Sequence, residues 1–583
     1  MNEGNLRIFL WIGLALALWL NYETWQKDYA PAATAVTATQ ANKPAALDAA
    51  IPQAPASAAA NVPAAAPMAD AVPALPVAAP GAAAATPAAA VSSSGVTADG
   101  GAVRVITDVL DLDIGLTGGE LQRADLPKYP QVKGESKPVR LFDRAAKEGF
   151  YALQTGLAPA AASAADAAFP THLAQFTATA REYRLTPGAQ ELRVPLTWTD
   201  GQGVTVTKIF VFKPGQYRID LEYQIQNSSA APFVAAPYAQ ILRDDIQPET
   251  SMFSVESYSY KGPAYYDGTK YTKLALKDED NHKLSRDLTG GWIAGMEHHF
   301  VSAVVPDPGK SYHYDIKVSG RQYLISVLGP AQAVAAGADA KIDERLFVGP
   351  KLQAQLKQTG VELDRVTDYG TLTILSRPLF WLIEKVHGLL GNWGWAILIT
   401  TLLLKLAFYP LAETAGKSMA KMRVLAPRMK ALQETYKDDR EKLGRATMEL
   451  YQKEKINPLA GCLPMLIQMP VFLAFYWVLL ESVEMRQAPF MGWIQDLSSR
   501  DPFFVLPVLN AVAMYVQFKL NPPPPDPMQA KIFQFMPLVV SATFVFFPAG
   551  LVLYWVTSTL LGILQQWNIN RRIEAVQAKI KAN

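Results

Sequence analysis

Along the chain, the spacing of apolar and polar positions changes several times, and each spacing predicts a different kind of structure. Residues Ile8 to Leu20 form an unbroken apolar run behind Arg7, with Tyr22 and Trp25 positioned for a membrane interface. The run has the length of a signal-peptide core, but the residues after it, Asn21 to Tyr29, are bulky and charged instead of small. An uncleaved anchor over residues 1–30 is therefore favoured over a cleaved leader. Residues 31–100 hold 30 Ala, 10 Pro, four charged residues and no aromatic side chain in 70 positions. Nothing in such a composition can pack a core, and its prolines interrupt any alanine helix, so it predicts a disordered, partly extended tether that acts as a spacer with no binding role.

Over residues 101–348 the pattern becomes one of alternation. Tyr217, Ile219, Leu221, Tyr223 and Ile225 are apolar while Arg218, Asp220, Glu222 and Gln224 lie between them, the period of a half-buried strand. Val204 to Phe212 precedes this run across Lys213-Pro214-Gly215, and Asp200-Gly201 closes the run Val194 to Thr199, which predicts successive hairpins. The segment reads as an all-β domain, a single large sandwich.

Beyond residue 349 long apolar stretches dominate. Trp393 to Leu411 (residues 393–411) is the first candidate membrane span after the anchor. Leu459 to Leu480, Phe503 to Phe518, Ile532 to Phe547 and Gly550 to Trp567 follow within residues 459–567, giving six spans with the anchor. Several are near the lower length limit for a hydrocarbon core of about 30 Å, so they stand upright or thin the bilayer. Residues 349–392 read as a linker and an amphipathic helix in the interface, Tyr369 to Leu390, which carries Arg377, Pro378, Glu384, Lys385 and His387.

Charge orients these elements. The net charge of +2, from 54 Lys and Arg against 52 Asp and Glu, excludes a whole-chain field aimed at nucleic acid, and no specific nucleic-acid sequence is expected as a partner. Eleven Lys and Arg fall between Ala412 and Lys455, and the tail over residues 568–583 adds Arg571, Arg572, Lys579 and Lys581. The stretch from Ser482 to Asp501 has only Arg486 and Arg500. By the positive-inside rule residues 412–458, the tail and the amino terminus are cytoplasmic and the β-domain lies on the opposite face. Residues 412–458 read as a basic helical hairpin, with Met419, Met422, Leu425, Met429 and Leu432 at helical spacing and Asp438-Asp439 at the turn. Either it only sets topology or it is a docking surface for a nascent chain or ribosome.

The chemistry concentrates on few residues. Lys405 stands in the apolar run Ile397 to Tyr409, eight residues before the next charge, Glu413. A charge at mid-membrane costs about 2.5 to 3.5 kcal/mol, so Lys405 either faces water or a partner, or snorkels toward the headgroups. Thr401 lies one turn earlier on the same face. Gln468, Asn510, Gln517, Gln534, Ser541, Thr543, Thr557, Ser558 and Gln565 supply further amides and hydroxyls, none acidic, so no intramembrane carboxylate relay for protons or cations is offered. They bridge helices or, with Lys405, line a hydrated groove. The candidate groove residues are Lys405, Thr401, Gln468, Asn510, Gln534 and Thr557.

Other motifs fail. Gly416-Lys417-Ser418 lacks the first glycine and the preceding strand of a P-loop. His298 and His299, adjacent on a strand, would point to opposite faces and could not chelate together. Cys462 is the single cysteine, which excludes an internal disulfide or a cysteine-based zinc cluster and leaves a small buried hydrophobe. No catalytic constellation, metal site or cofactor site is expected.

The run Asn457-Pro458-Leu459-Ala460-Gly461-Cys462-Leu463-Pro464-Met465-Leu466-Ile467-Gln468-Met469-Pro470-Val471-Phe472 closely resembles the signature of the YidC membrane protein insertases, part of the YidC/Oxa/Alb family. So do Tyr409-Pro410-Leu411, Lys417 to Arg423, Gly290-Gly291-Trp292-Ile293-Ala294 and Val348-Gly349-Pro350-Lys351. The resemblance implies the long Gram-negative form in the inner membrane. Its expected fold is a multi-pass α-helical protein, an anchor plus a five-span core, with a periplasmic β-supersandwich similar to galactose mutarotases but no sugar-processing site. It implies a water-filled groove open to the cytoplasm and lipid, holding one cation, usually Arg, at the position of Lys405. A lysine keeps the charge but not the planar fork for carboxylates. The implied function is insertion and folding of nascent membrane proteins, alone or with the Sec translocon and its accessory subunits, with ribosome or signal-recognition components docking on the hairpin and tail. The rival readings are a small-solute transporter or channel, which would call for internal repeats that the sequence lacks, and a membrane-anchored carbohydrate enzyme.

Overall fold

The computed structural model describes residues 45–53, 101–160, 168–246, 259–276, 282–436, 439–454, 463–520 and 527–582. The predicted anchor, most of the tether, and the stretch of the signature with Cys462 lie outside these residues. The chain divides into two compact units at Thr367/Asp368.

The first unit is a sandwich of an eleven-stranded and a nine-stranded sheet. In the smaller sheet the strands Leu192–Thr199, Val204–Phe212, Arg218–Asn227 and Ala338–Pro350 are consecutive neighbours, all antiparallel. These are the hairpins that the alternation predicts: Leu221 opposes Phe210, and both are fully buried in the core with Val206, Phe212, Ile219 and Tyr223. Burial of each such side chain contributes about 1.5 to 3 kcal/mol, so a slip of one residue, which turns the whole row outward, is strongly disfavoured.

One inward position of this register is not apolar. Lys208 lies between Val206 and Phe210 in the core-facing row and is fully buried. Its ammonium donates to the carbonyls of Gly118 (2.7 Å), Thr155 (2.9 Å) and Gly119 (3.2 Å), so the charge is solvated by backbone instead of water.

In the larger sheet the strands Tyr151–Pro159 and Phe233–Asp244 are buried on both faces almost throughout. One face meets the sandwich core, through Leu153, Ile241 and Ala239. Part of the other face, with Leu242 and Leu324, is covered by residues 45–53, which begin with the short helix α1 (Ala45–Asp48). This corrects the expectation that nothing in residues 31–100 packs: Leu47 is buried there.

The β-unit also runs past residue 348. Helix α2 (Gln353–Thr359) and the 3-10 turn Leu363–Val366 place Leu356, Leu363 and Val366 in its core, and the Trp292 indole donates to the Val361 carbonyl at 3.2 Å. Only the later part of the 349–392 linker belongs to the second unit. His298 and His299 are in the turn after Trp292–Met296, not on a strand, and their rings stack at 3.8 Å instead of pointing apart.

The second unit is helical: α3 (Thr373–Leu390), α4 (Trp393–Ala407), α5 (Tyr409–Thr435), α6 (Arg440–Lys453), α7 (Leu463–Glu481), α8 (Val505–Leu520), α9 (Pro527–Thr543) and α10 (Ala549–Ala582). Helix α3 buries Leu379, Phe380, Ile383 and Val386 at helical spacing and exposes Ile374, Trp381 and Leu389 beside Glu384 and Lys385, the mixed face of an interfacial helix. Gly391, in the left-handed region at φ 68°, ends it, and its N–H donates to the His387 carbonyl. Asn392 then caps α4 by accepting from the Trp395 N–H at 3.1 Å.

The apolar run 393–411 is not one straight span. Helix α4 stops at Ala407, the chain bends by 57° at Phe408, and Pro410 lies in the first turn of α5, where its missing N–H costs nothing. Among the described residues no single helix is long and apolar enough to cross a membrane; the bent pair Trp393–Ala407 and Tyr409–Lys417 meets that test together. The boundaries expected at 411/412 and 567/568 fall inside α5 and α10. Residues 409–453 form a helical hairpin, with Leu425 and Met429 turned inward and the Asp439 side chain capping α6.

Candidate substrate groove

Lys405 lies on the last turn of α4, about 18 Å along the helix from Trp393 at 1.5 Å per residue. It borders a small cleft between α4, α7 and α10, lined by Thr401, Leu404, Phe408, Gln468, Val471, Tyr554 and Ser558. The enclosed space is about 20 Å³, room for a single water molecule. None of the lining residues is acidic, and Lys405 forms no ion pair among the described residues. The cleft therefore presents one cation, one amide and three hydroxyls, of Thr401, Tyr554 and Ser558, in apolar surroundings.

Backbone proximity makes this possible. Tyr554, Ser558 and Gly562 are four residues apart and share one stripe of α10. At Gly562 a β-carbon would sit 3.2 Å from the Gln517 side-chain amide and 3.9 Å from the Lys405 ammonium, so the glycine lets α10 approach α8 and α4 closely.

The other end of the helical unit is sealed. Ile397, Phe475, Val478, Ile494, Leu497, Leu551 and Val552 form a continuous apolar core, and Phe475 stacks on Tyr554 at 4.3 Å. Asp501 fixes the segment over this core. Its carboxylate accepts from the Leu506 N–H (2.7 Å), the Trp493 indole (3.0 Å) and the Phe503 N–H (3.1 Å), capping α8. The outer surface carries exposed Leu402, Leu406, Val508, Val512, Phe535, Leu538 and Leu564, an apolar exterior suited to lipid.

The structure brings together three of the six candidate residues. Lys405, Thr401 and Gln468 line the cleft, although the Thr401 hydroxyl donates to its own helix at the Ile397 carbonyl, 2.7 Å away. Asn510 does not line it: its amide donates to Ser541 Oγ at 3.1 Å and ties α8 to α9. Gln534 is exposed on α9. Thr557 bonds back to the Leu553 carbonyl and stands about 100° around α10 from Ser558, so the neighbouring position faces the cleft instead. Tyr554 and Gly562 were not among the candidates; their four-residue spacing with Ser558 was the available signal.

An apolar-surfaced helical unit with one cation in a polar cleft, joined to a large β-sandwich, defines a membrane protein with an attached globular domain. Two family models together cover most of the chain: the YidC periplasmic domain matches residues 102–382 and the 60Kd inner membrane protein matches residues 385–577. The chain is 43% identical to the membrane protein insertase YidC of Thioalkalivibrio sulfidiphilus, over 99% of this chain and 100% of that protein. It is 41% identical to that of Methylococcus capsulatus over 99% of both chains. Among solved structures, an active YidC insertase crystal structure with its first transmembrane domain resolved aligns over 82% of this chain and 94% of its own, at 20% identity and a TM-score of 0.37. The chain belongs to the YidC family of membrane protein insertases. It is an inner membrane protein with a periplasmic β-domain, its substrates are nascent membrane proteins, and it is not an enzyme.

Proposed function

We propose that the cleft at Lys405 is the closed form of a hydrated groove through which the polar segment of a client enters the membrane. In this reading α4, α7, α8, α9 and α10 carry the five spans of the core and residues 1–30 a sixth, with both termini cytoplasmic. An acidic client segment is drawn to Lys405, which no carboxylate among the described residues neutralises. Thr401, Gln468 and Ser558 offer hydrogen bonds to a passing backbone, and the apolar seal around Ile494 and Leu497 blocks a continuous water path. The client's apolar helix leaves along the lipid-facing sides of α7 and α9, and its partition into lipid supplies the free energy. Gln534, exposed on α9, lies on that exit side; Asn510 ties α8 to α9, and Thr557 bonds within α10.

The single observation that carries this reading is a cation that has no carboxylate partner among the described residues, in a polar cleft between three helices. The basic hairpin α5–α6 and the C-terminal end of α10 serve as the docking side for ribosome or signal-recognition components, and the protein works alone or beside the Sec translocon. Depletion of the host's insertase with rescue by variants tests the reading. Lys405→Arg should rescue, whereas Lys405→Ala and Lys405→Glu should impair clients with acidic translocated segments. Normal insertion of every client by Lys405→Glu would overturn it.

A further inference from the structure

A polar and apolar cleft on the outer face of the larger sheet holds residues 45–53, and its contacts read their sequence. The Asp48 carboxylate accepts from both terminal nitrogens of Arg144, at 2.8 and 3.1 Å, and from the Gln154 amide at 2.8 Å. The Asp48 carbonyl bonds to the His172 ring at 2.8 Å, and the Ala50 carbonyl accepts from the Gln240 amide at 3.1 Å. Leu47 enters an apolar site made by Leu242, Leu324 and Phe150; Ile51 packs on Ala158, Ala236, Tyr238 and Leu328; Pro52 is buried. The receiving side chains are themselves fixed. Arg144 is held by buried Glu120 at 2.6 Å, Gln154 is joined to Gln240 at 2.6 Å, and His172 is joined to Tyr238 at 2.6 Å.

We propose that this cleft is a binding site for a peptide of the pattern Leu-Asp-x-x-Ile-Pro, bound as the end of a helical turn followed by a short non-helical stretch, and that its ligand is residues 47–52 of the same chain, which latch the linker onto the β-domain. A bidentate guanidinium selects the carboxylate, two backbone carbonyls are read two residues apart, and apolar sites three strands wide select the flanking side chains. Within residues 31–100 Ile51 is the single Ile and Leu47 one of two Leu, so the pattern occurs once in that stretch. The latch sets the reach of the linker. From residue 31 to the docked Leu47 the chain can extend at most about 60 Å, whereas from residue 31 to residue 101 it could extend about 250 Å. Lys405 plays no part in this, so the latch stands or falls separately from the groove.

The test uses the full-length protein in detergent. Hydrogen exchange should show the amides of residues 47–51 and 53 protected by at least tenfold over the flanking tether, and Arg144→Gln should abolish that protection. A labelled synthetic peptide of residues 44–54 should bind a variant whose own segment is disabled by Leu47→Ser, Asp48→Ser and Ile51→Ser, and should bind at least tenfold more weakly to the wild type, whose cleft is filled. Asp48→Arg in the peptide should remove binding, and Arg144→Asp in the protein should restore it. Exchange at residues 47–53 as fast as in the flanks, or peptide binding indifferent to Asp48 and Arg144, would overturn the proposal.

Discussion

Replacing Lys208 with Met should cost the β-domain about 3 to 5 kcal/mol, the range for removing one partner of a buried charged interaction. The ammonium donates to three carbonyls, and Met, close in length and volume, leaves all three without this donor. Each orphaned acceptor costs about 1 to 3 kcal/mol, toward the low end because a carbonyl has a second lone pair. Release of the buried charge offsets part of this: burial pulls the lysine down to about 7, against the attraction of the buried Glu344 carboxyl. At about 2 to 4 °C per kcal/mol for a domain of this size, the melting temperature should fall by about 10 °C. The change should also loosen the linker latch. Lys208 holds Gly118 and Gly119, next to the Glu120 that positions Arg144, and Thr155, next to the Gln154 that receives Asp48. Native-state hydrogen exchange on full-length protein reads both effects, at residues 204–227 and at residues 47–53. A loss below about 1 kcal/mol, comparable to the half-exposed control Lys213→Met, would refute the claim that the three carbonyls depend on this ammonium.

Glu120 is pushed up to about 7, first by burial, with Arg144 opposing. The folded chain then keeps a proton that the unfolded chain releases between about 4.5 and 7, so stability should fall as pH rises through that window. Glu120→Gln should flatten the dependence by up to about 1.4 kcal/mol per pH unit in urea unfolding at pH 5, 6 and 7; equal slopes in the two proteins would contradict it. At Gly562, alanine should be tolerated, since its β-carbon meets the movable ends of two side chains, Gln517 at 3.2 Å and Lys405 at 3.9 Å. Alanine also gains about 1 kcal/mol of helix propensity. Gly562→Leu should crowd the cleft and lower client insertion to the level of Lys405→Ala, whereas Gly562→Ala, which keeps the close approach of the helices, should insert as wild type does; wild-type insertion by the leucine variant would show that the cleft need not open.

The strands and hairpins around Val204 to Ile225 were legible because alternation fixes both the element and the buried face. Lys208 could have been found from the same pattern, as a charge in the inward register of a strand, but its acceptors come from residues about 50 and 90 positions away in sequence. The docked segment was hidden by composition: averaged over residues 31–100, Leu47, Asp48 and Ile51 vanish among alanines, and their binding face exists only after distant strands pair. In the helical unit the cation was plain from hydropathy, and Thr401 followed from helical periodicity. Thr557 and Ser558 could not be separated without the rotation of α10, which packing against α4 and α8 decides. The break at Phe408 had a signal in Tyr409-Pro410, because proline favours the first turn of a new helix over the interior of an old one.

The groove claim rests on charge, so exchanging the charges tests it most directly. A client with acidic residues in its translocated segment and the same client with lysines there are inserted by wild type and by Lys405→Glu, with protease protection as the readout. The account predicts that the wild type favours the acidic client and that Lys405→Glu reverses the preference; an unchanged preference in Lys405→Glu would contradict it.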